Sequence, residues 1–221
     1  MNEWTCDSRT AAIDRLLAKA PVIPVLTIAD LDTAVPLART LAGAGLPVVE
    51  ITLRTPVALA AIAQVAAEVP GCIPAAGTVL TPADLAAAAA AGAAFAISPG
   101  ASEALYRAAA ESAIPYLPAV ATGSEIVHGM EHGYRRFKYF PAVTGGCAAL
   151  KAFLGPFPQV RFCPTGGIDE QDAAAYLALS NVITIGGSWI APPTAIAARD
   201  WPTIAERAQR AASARAARFD A

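Results

Sequence analysis

"PVVEITLRTPVALAAIAQVAAEVPGCIPAAGT", residues 47–78, is one complete strand–helix–strand unit. Its opening, "PVVEITL" (47–53), is apolar and β-branched, as a strand covered on both faces should be. Residues 56–68 then place apolar side chains at helical spacing, and "CIPAAGT" (72–78) reads as the next strand. A helix between two such strands is a crossover, which makes the strands parallel and the connection right-handed. The alternation continues in both directions. Upstream lie a helix over 8–19, with Ser8 or Thr10 as its cap, the strand "VIPVLT" (22–27) and the helical "ADLDTAVPLARTLAGAG" (29–45) ending in glycines. Downstream come "TPADLAAAAAAG" (81–92) with a Thr-Pro helix start, the strand "AFAIS" (94–98) and a helix over 102–112. The strand "IPYLPAV" (114–120), the segment "TGSEIVHGMEHG" (122–133), the strand "RFKYF" (136–140) and a helix near 146–154 follow. The series closes with "VRFCPTG" (160–166), a helix "DEQDAAAYLAL" (169–179), "VITIGG" (182–187) and a helix over 200–219. Eight strand–helix units predict an α/β fold: a small (β/α)8 TIM barrel, one domain over 1–221, with an N-terminal helix within 1–20 capping it. An open doubly wound sheet is the alternative, disfavoured because no GxGxxG follows a first strand; "GAG" at 43–45 precedes one.

Composition fits a packed barrel. The chain is 55% hydrophobic and 15% charged, which excludes intrinsic disorder. A net charge of −2 offers no field for nucleic acid or an anionic membrane, so any anionic ligand must be held by local groups. Cys6, Cys72, Cys147 and Cys163 are too scattered for a metal knuckle; two disulfides are formally possible, but reduced thiols in a cytoplasmic protein are expected. "MNEWTCDSRT" does not read as a signal peptide, and "LAAAAAAGAAFAI" (85–97) is too short for a membrane span.

Chemistry-bearing residues are expected at the C-terminal ends of the strands. Lysine is scarce, limited to Lys19, Lys138 and Lys151 against thirteen arginines, yet Lys138 sits inside an aromatic strand. Alternation puts Phe140 on its face and Phe137 and Tyr139 on the other. Turned into the barrel, Lys138 is either the partner of a carboxylate or an amine whose lone pair is wanted. "VVEITLRTP" (48–56) places Glu50, Thr52 and Arg54 at period two on one face. Glu50 and Arg54 either neutralise each other or supply a proton-transfer group and a carboxylate clamp. "CPTGGID" (163–169) and "IGGSW" (185–189) put paired glycines after the seventh and eighth strands. Such loops are ordinary tight turns or, at these two positions, an anion site built from backbone N–H groups. "HGMEH" (128–132) matches the H-x-x-E-H metal pattern, but Gly129 and Gly133 weaken the helix that would align the imidazoles. No metal is expected there.

Together, "PVIPVL", "EITLRTP", "AAGTVL", "FAISPG", "FKYFPA", "FCPTGGI" and "IGGSW", in this order over about residues 21–192, resemble the 2-keto-3-deoxy-6-phosphogluconate (KDPG) aldolase and 4-hydroxy-2-oxoglutarate aldolase family. "EITLRT" and "CPTGGI" look more like this family than like its relatives acting on the galactonate epimer. The resemblance implies a class I aldolase with no cofactor beyond a covalent Schiff base on Lys138, Glu50 as acid/base, and Arg54 with Thr78 around the pyruvyl carboxylate. It implies Phe140 and Thr165 as pocket lining, Pro99 at a further pocket position, and Gly166, Gly167, Gly187 and Ser188 as the phosphate site. A phosphorylated 2-keto acid as substrate and a homotrimer are implied too. The chain departs from the family pattern at Ala75, Arg136 and Tyr139, and "AVTGG" (142–146) is one residue short. A pyridoxal phosphate enzyme and a non-catalytic sugar-phosphate sensor on the same barrel are the rival readings.

Overall fold

The computed structural model describes residues 4–214. Its strands are β1 (Val22–Leu26), β2 (Val48–Thr52), β3 (Ile73–Gly77), β4 (Phe95–Ile97), β5 (Tyr116–Leu117), β6 (Ala119–Val120), β7 (Arg136–Tyr139), β8 (Arg161–Pro164) and β9 (Ile185–Gly187). All pair in parallel, in the orders β5-β4-β3-β2-β1-β9 and β6-β7-β8. Two isolated bridges, Phe162 with Val182 and Thr165 with Gly186, join β8 to the β9 segment. β5 and β6 are two halves of the fifth barrel strand, parted at Pro118, which has no N–H to give a ladder. Its carbonyl still accepts from the Lys138 N–H at 2.9 Å. The ring of eight strands is thereby closed, as the sequence predicts.

Helices alternate with the strands: α1 (Cys6–Leu17), α2 (Ala34–Gly43) behind a 3-10 turn (Leu31–Thr33), α3 (Ala58–Glu68), α4 (Pro82–Ala90), α5 (Glu103–Glu111), α6 (Gly123–Glu131), α7 (Ala142–Phe153), α8 (Ala173–Leu177), α9 (Pro193–Ala197) and α10 (Trp201–Ser213). Thr5, not Ser8 or Thr10, caps α1; Ser8 instead closes the capping box from the third helical position. Thr81, Ser102 and Thr122 cap α4, α5 and α6 through their hydroxyls. α7 begins at Ala142, earlier than its periodicity indicates, and is broken at Gly146, where φ is 58° and ψ −161°. α8 is shorter than "DEQDAAAYLAL" promises because Asp169 spends its carboxylate on the N–H groups of Gln171 and Asp172, forming a turn. The short α9 is an addition. The predicted end of the last helix, 215–219, lies outside the described residues.

Strand alternation separates two apolar layers. Val49, Ile51, Ala76, Phe137, Tyr139 and Phe162 point outward into the core beneath the helices. Ile23, Val48, Ala75, Phe95, Ile97, Leu117 and Cys163 fill the barrel interior, together with Ile13 and Leu17 from α1. Burying two such side chains contributes roughly 1.5–3 kcal/mol each. Arg136, the unexpected residue two before Lys138, donates to both oxygens of Asp14 on α1, through Nη2 at 2.7 Å and through Nε at 2.5 Å. The departure therefore ties the N-terminal helix to the start of β7.

Candidate active site

The inward positions of β7 are Arg136 and Lys138, and those of β2 are Val48, Glu50 and Thr52. These strands are not neighbours, so their long side chains meet across the barrel. Lys138 Nζ lies 2.9 Å from Glu50 Oε1 and 3.2 Å from Oε2, and both residues are almost fully buried, at 4% and 3% exposure. In register with Lys138 stand Ala119 on β6 and Cys163 on β8. Burial pushes the Cys163 thiol up to about 12, with the Lys138 charge opposing and the Glu50 charge reinforcing, so the sulfur beside the pair stays a neutral thiol. Lys138 Nζ is 5.4 Å from the centre of the Phe140 ring, which shares its face as alternation requires.

Gly77 makes room for this pair. A Cβ there would clash with Glu50 Oε1 and stand 2.5 Å from its Cγ. The glycine at the end of "AAG" was a readable sign of close approach. The pairing of Lys138 with Cys163 had no such sign, because register is settled by the closed sheet.

Thr52 turns its hydroxyl to the Leu26 carbonyl at 2.8 Å, so this part of the β2 face is internally satisfied. Arg54 does not neutralise Glu50. It lies past the end of β2, exposed, and its Nε donates to the Thr78 hydroxyl at 3.2 Å. Thr78 has φ 60°, a left-handed backbone that a β-branched residue adopts only at a cost of about 1–2 kcal/mol. The strain turns the Thr78 hydroxyl to the guanidinium at the mouth of the barrel.

The glycine loops converge on the same end. Thr165 N–H donates to Tyr139 O, and Ala142 N–H and Val143 N–H donate to the carbonyls of Thr165 and Gly166, so "FKYFPA" and "CPTGG" run together. Gly166 (φ 96°) lies against the Phe140 ring, where a Cβ would approach to 2.9 Å. Gly186 lies so close to Thr165 that a Cβ would overlap its hydroxyl, which brings "IGGS" into the group. Gly187 is buried under the Trp189 ring, whose buried Nε1 has no partner among the described residues, while Gly167 and Ser188 are exposed. The structure thus brings together Lys138, Glu50, Phe140, Thr165, Gly166 and the residue beside Gly187. Pro99, just past the end of β4, lines a groove with Leu80, Ala101, Ser102 and Leu105. A cavity of about 360 Å³ opens at the other end of the barrel, at the start of β7 and β8, and its lining includes neither Lys138 nor Glu50.

An amine and a carboxylate sharing a proton in a dry interior can form an imine with a ketone and move protons around it. A guanidinium and paired glycines at the mouth can hold a carboxylate and a second anion.

Comparison with known proteins agrees with this geometry. A family described as KDPG and KHG aldolase matches residues 13–207. The KHG/KDPG aldolase of Escherichia coli K12 is 48% identical over 96% of this chain and 97% of its own. The 2-dehydro-3-deoxy-phosphogluconate aldolase of Dickeya dadantii is 47% identical over the same shares. In three dimensions the chain resembles the Legionella pneumophila KDPG aldolase, which holds pyruvate captured as a covalent carbinolamine. The TM-score is 0.88 at 46% identity, covering 90% of this chain and 97% of that one. A full-length match in sequence, a matching barrel and a buried lysine at its centre lead to one conclusion: the chain belongs to the KDPG and KHG aldolase family.

Proposed function

We propose that this protein is a class I aldolase cleaving 2-dehydro-3-deoxy-6-phosphogluconate to pyruvate and D-glyceraldehyde 3-phosphate, with 4-hydroxy-2-oxoglutarate, split to pyruvate and glyoxylate, as a second substrate. The observation that carries this reading is the bond between two buried groups, Lys138 Nζ and Glu50 Oε1, at 2.9 Å. The relatives' activities and the pyruvate carbinolamine of the Legionella enzyme support it.

Lys138 attacks C2 of the keto acid while Glu50 takes the proton the amine sheds. Glu50 passes that proton to the carbinolamine hydroxyl, which leaves as water; the protonated imine that remains is an electron sink, and Glu50 is again a carboxylate. Glu50, through a water, removes the C4 hydroxyl proton; the C3–C4 bond breaks, its electrons flow to the imine nitrogen, and the aldehyde leaves. Glu50 returns a proton to C3 of the enamine, and hydrolysis frees pyruvate and the amine. Every proton stays between substrate, water and the pair. Arg54, set by Thr78, holds the pyruvyl carboxylate; Phe140 and Thr165 shape the pocket; Gly166, Gly167, Gly187 and Ser188 take the phosphate.

In this reading the whole chain works as one barrel domain in the cytoplasm. Leu80, 58% exposed beside the groove at Pro99, is apolar surface suited to the contact of a homotrimer. The test of the activity is borohydride reduction in the presence of pyruvate, followed by peptide mass mapping. A reduced adduct on the Lys138 peptide is expected; pyruvate binding without any adduct would refute imine chemistry.

A further inference from the structure

Gly129 and Gly133 lower the helix propensity of "HGMEH". In the structure the helix forms nonetheless. Thr122 and Glu125 make a capping box, and Gly129 is where the Phe137 ring packs, so α6 reaches Glu131 with His132 as its C-cap. His128 and His132 then lie one turn apart on one face.

Two features draw their rings together. Tyr106 on α5 stacks flat on the His132 ring, with centroids 4.5 Å apart at 5°, and sits edge-on to His128 at 5.3 Å. Glu103, also on α5, brings Oε2 to 3.0 Å from His132 Nε2 and 3.8 Å from His128 Nε2. Donors each about 2.1 Å from a tetrahedral ion stand about 3.4 Å apart, so these spacings need only small side-chain adjustments. The three donor atoms lie within 4.8 Å of one another. Arg107 Nε occupies the other oxygen of Glu103 at 2.7 Å, which leaves Oε2 to face the two imidazoles. Glu131 lies 3.8 Å from His128 Nδ1, the ring nitrogen not facing Glu103, as an outer carboxylate that orients a ligating imidazole does.

We propose that Glu103, His128 and His132 bind a zinc-class divalent ion that joins α5 to α6. The third ligand is Glu103 of the preceding helix, not the Glu131 of the motif, so the site is not the peptidase arrangement. All three side chains are partly exposed, leaving the fourth position to water and giving the ion direct entry.

Zinc titration by calorimetry on the full chain tests this, with Co²⁺ absorption reporting the ligand set. One ion per chain is expected, with a raised melting temperature that chelator reverses. Glu103→Gln, His128→Asn and His132→Asn should each weaken binding by about tenfold or more, while metal-free aldolase turnover stays at the wild-type value. Cys6 lies close to Gly133, so Cys6→Ser is the control, and it should bind as wild type does. Absence of saturable binding, unchanged affinity in His132→Asn, or loss of binding in Cys6→Ser would each overturn the proposal.

Discussion

Lys138→Met removes the amine and keeps nearly the same chain length, so it isolates the charge pair. Among the described residues the Glu50 carboxylate has hydrogen bonds only from Lys138 Nζ, at 2.9 and 3.2 Å, and is 3% exposed. Gly77 offers it no side chain. The variant therefore leaves a buried carboxylate without a partner, and breaking one half of such a pair costs about 3–5 kcal/mol. For a chain of this size that lowers the melting temperature by about 6–20 °C. Lys138→Met/Glu50→Leu removes both charges and should recover most of the loss, since replacing a buried pair by apolar groups is often neutral or stabilising. The assay is a double-mutant cycle by urea and thermal unfolding, with turnover measured in parallel. A coupling energy of about 2 kcal/mol or more is expected, with both lysine variants inactive. Additive losses, or a single variant as stable as wild type, would show that the pair is not held in the dry interior on which the mechanism depends.

Three further outcomes follow from the same geometry. Lys138→Arg, which keeps the charge but cannot form an imine, should lose turnover and the borohydride adduct together; activity in that variant would contradict the nucleophile. Gly77→Ala adds a Cβ that clashes with Glu50 Oε1 and, by displacing the carboxylate by about 1 Å, should lower kcat on the order of 100-fold while circular dichroism still shows a folded barrel; wild-type kcat would refute the positioning role of Gly77. Ser188→Ala should raise KM for the phosphorylated substrate more than for 4-hydroxy-2-oxoglutarate; equal rises would remove Ser188 from the phosphate site.

How much of this was legible depends on the length scale of each determinant. Periodicity revealed the strands because a pleat repeats every two residues, and the same alternation correctly put Phe140 with Lys138 and Phe137 behind it. Element ends were less legible. "VITIGG" promised a strand from 182, yet β9 starts at Ile185, because Val182 pairs with Phe162 only as an isolated bridge and the continuous ladder with β1 begins at Ile185. Glu50 with Arg54 was a natural pairing on one strand face, but the closed ring offered Glu50 a partner 88 positions away and left Arg54 to Thr78. The left-handed Thr78 had no local sign, since threonine is a poor residue for that backbone. The third ligand candidate beside the two histidines was equally hidden, because Glu103 belongs to another helix.

The barrel interior explains why the buried pair of Lys138 and Glu50 sits where it does. Along β7 the inward residues run Arg136, Lys138, then Phe140; along β8 they run Arg161, Cys163, then Thr165. At the strand starts, Arg136 is held by Asp14, while Ile13 and Leu17 of the same helix join Phe95 and Leu117 in an apolar plug. This apolar layer lies between the Arg136 end of the barrel and Lys138, while Arg54, Thr78 and the glycine loops stand at the opposite strand ends. The N-terminal helix thus lays Ile13 and Leu17 into the strand-start end of the interior and, through Asp14, fixes Arg136 beside them.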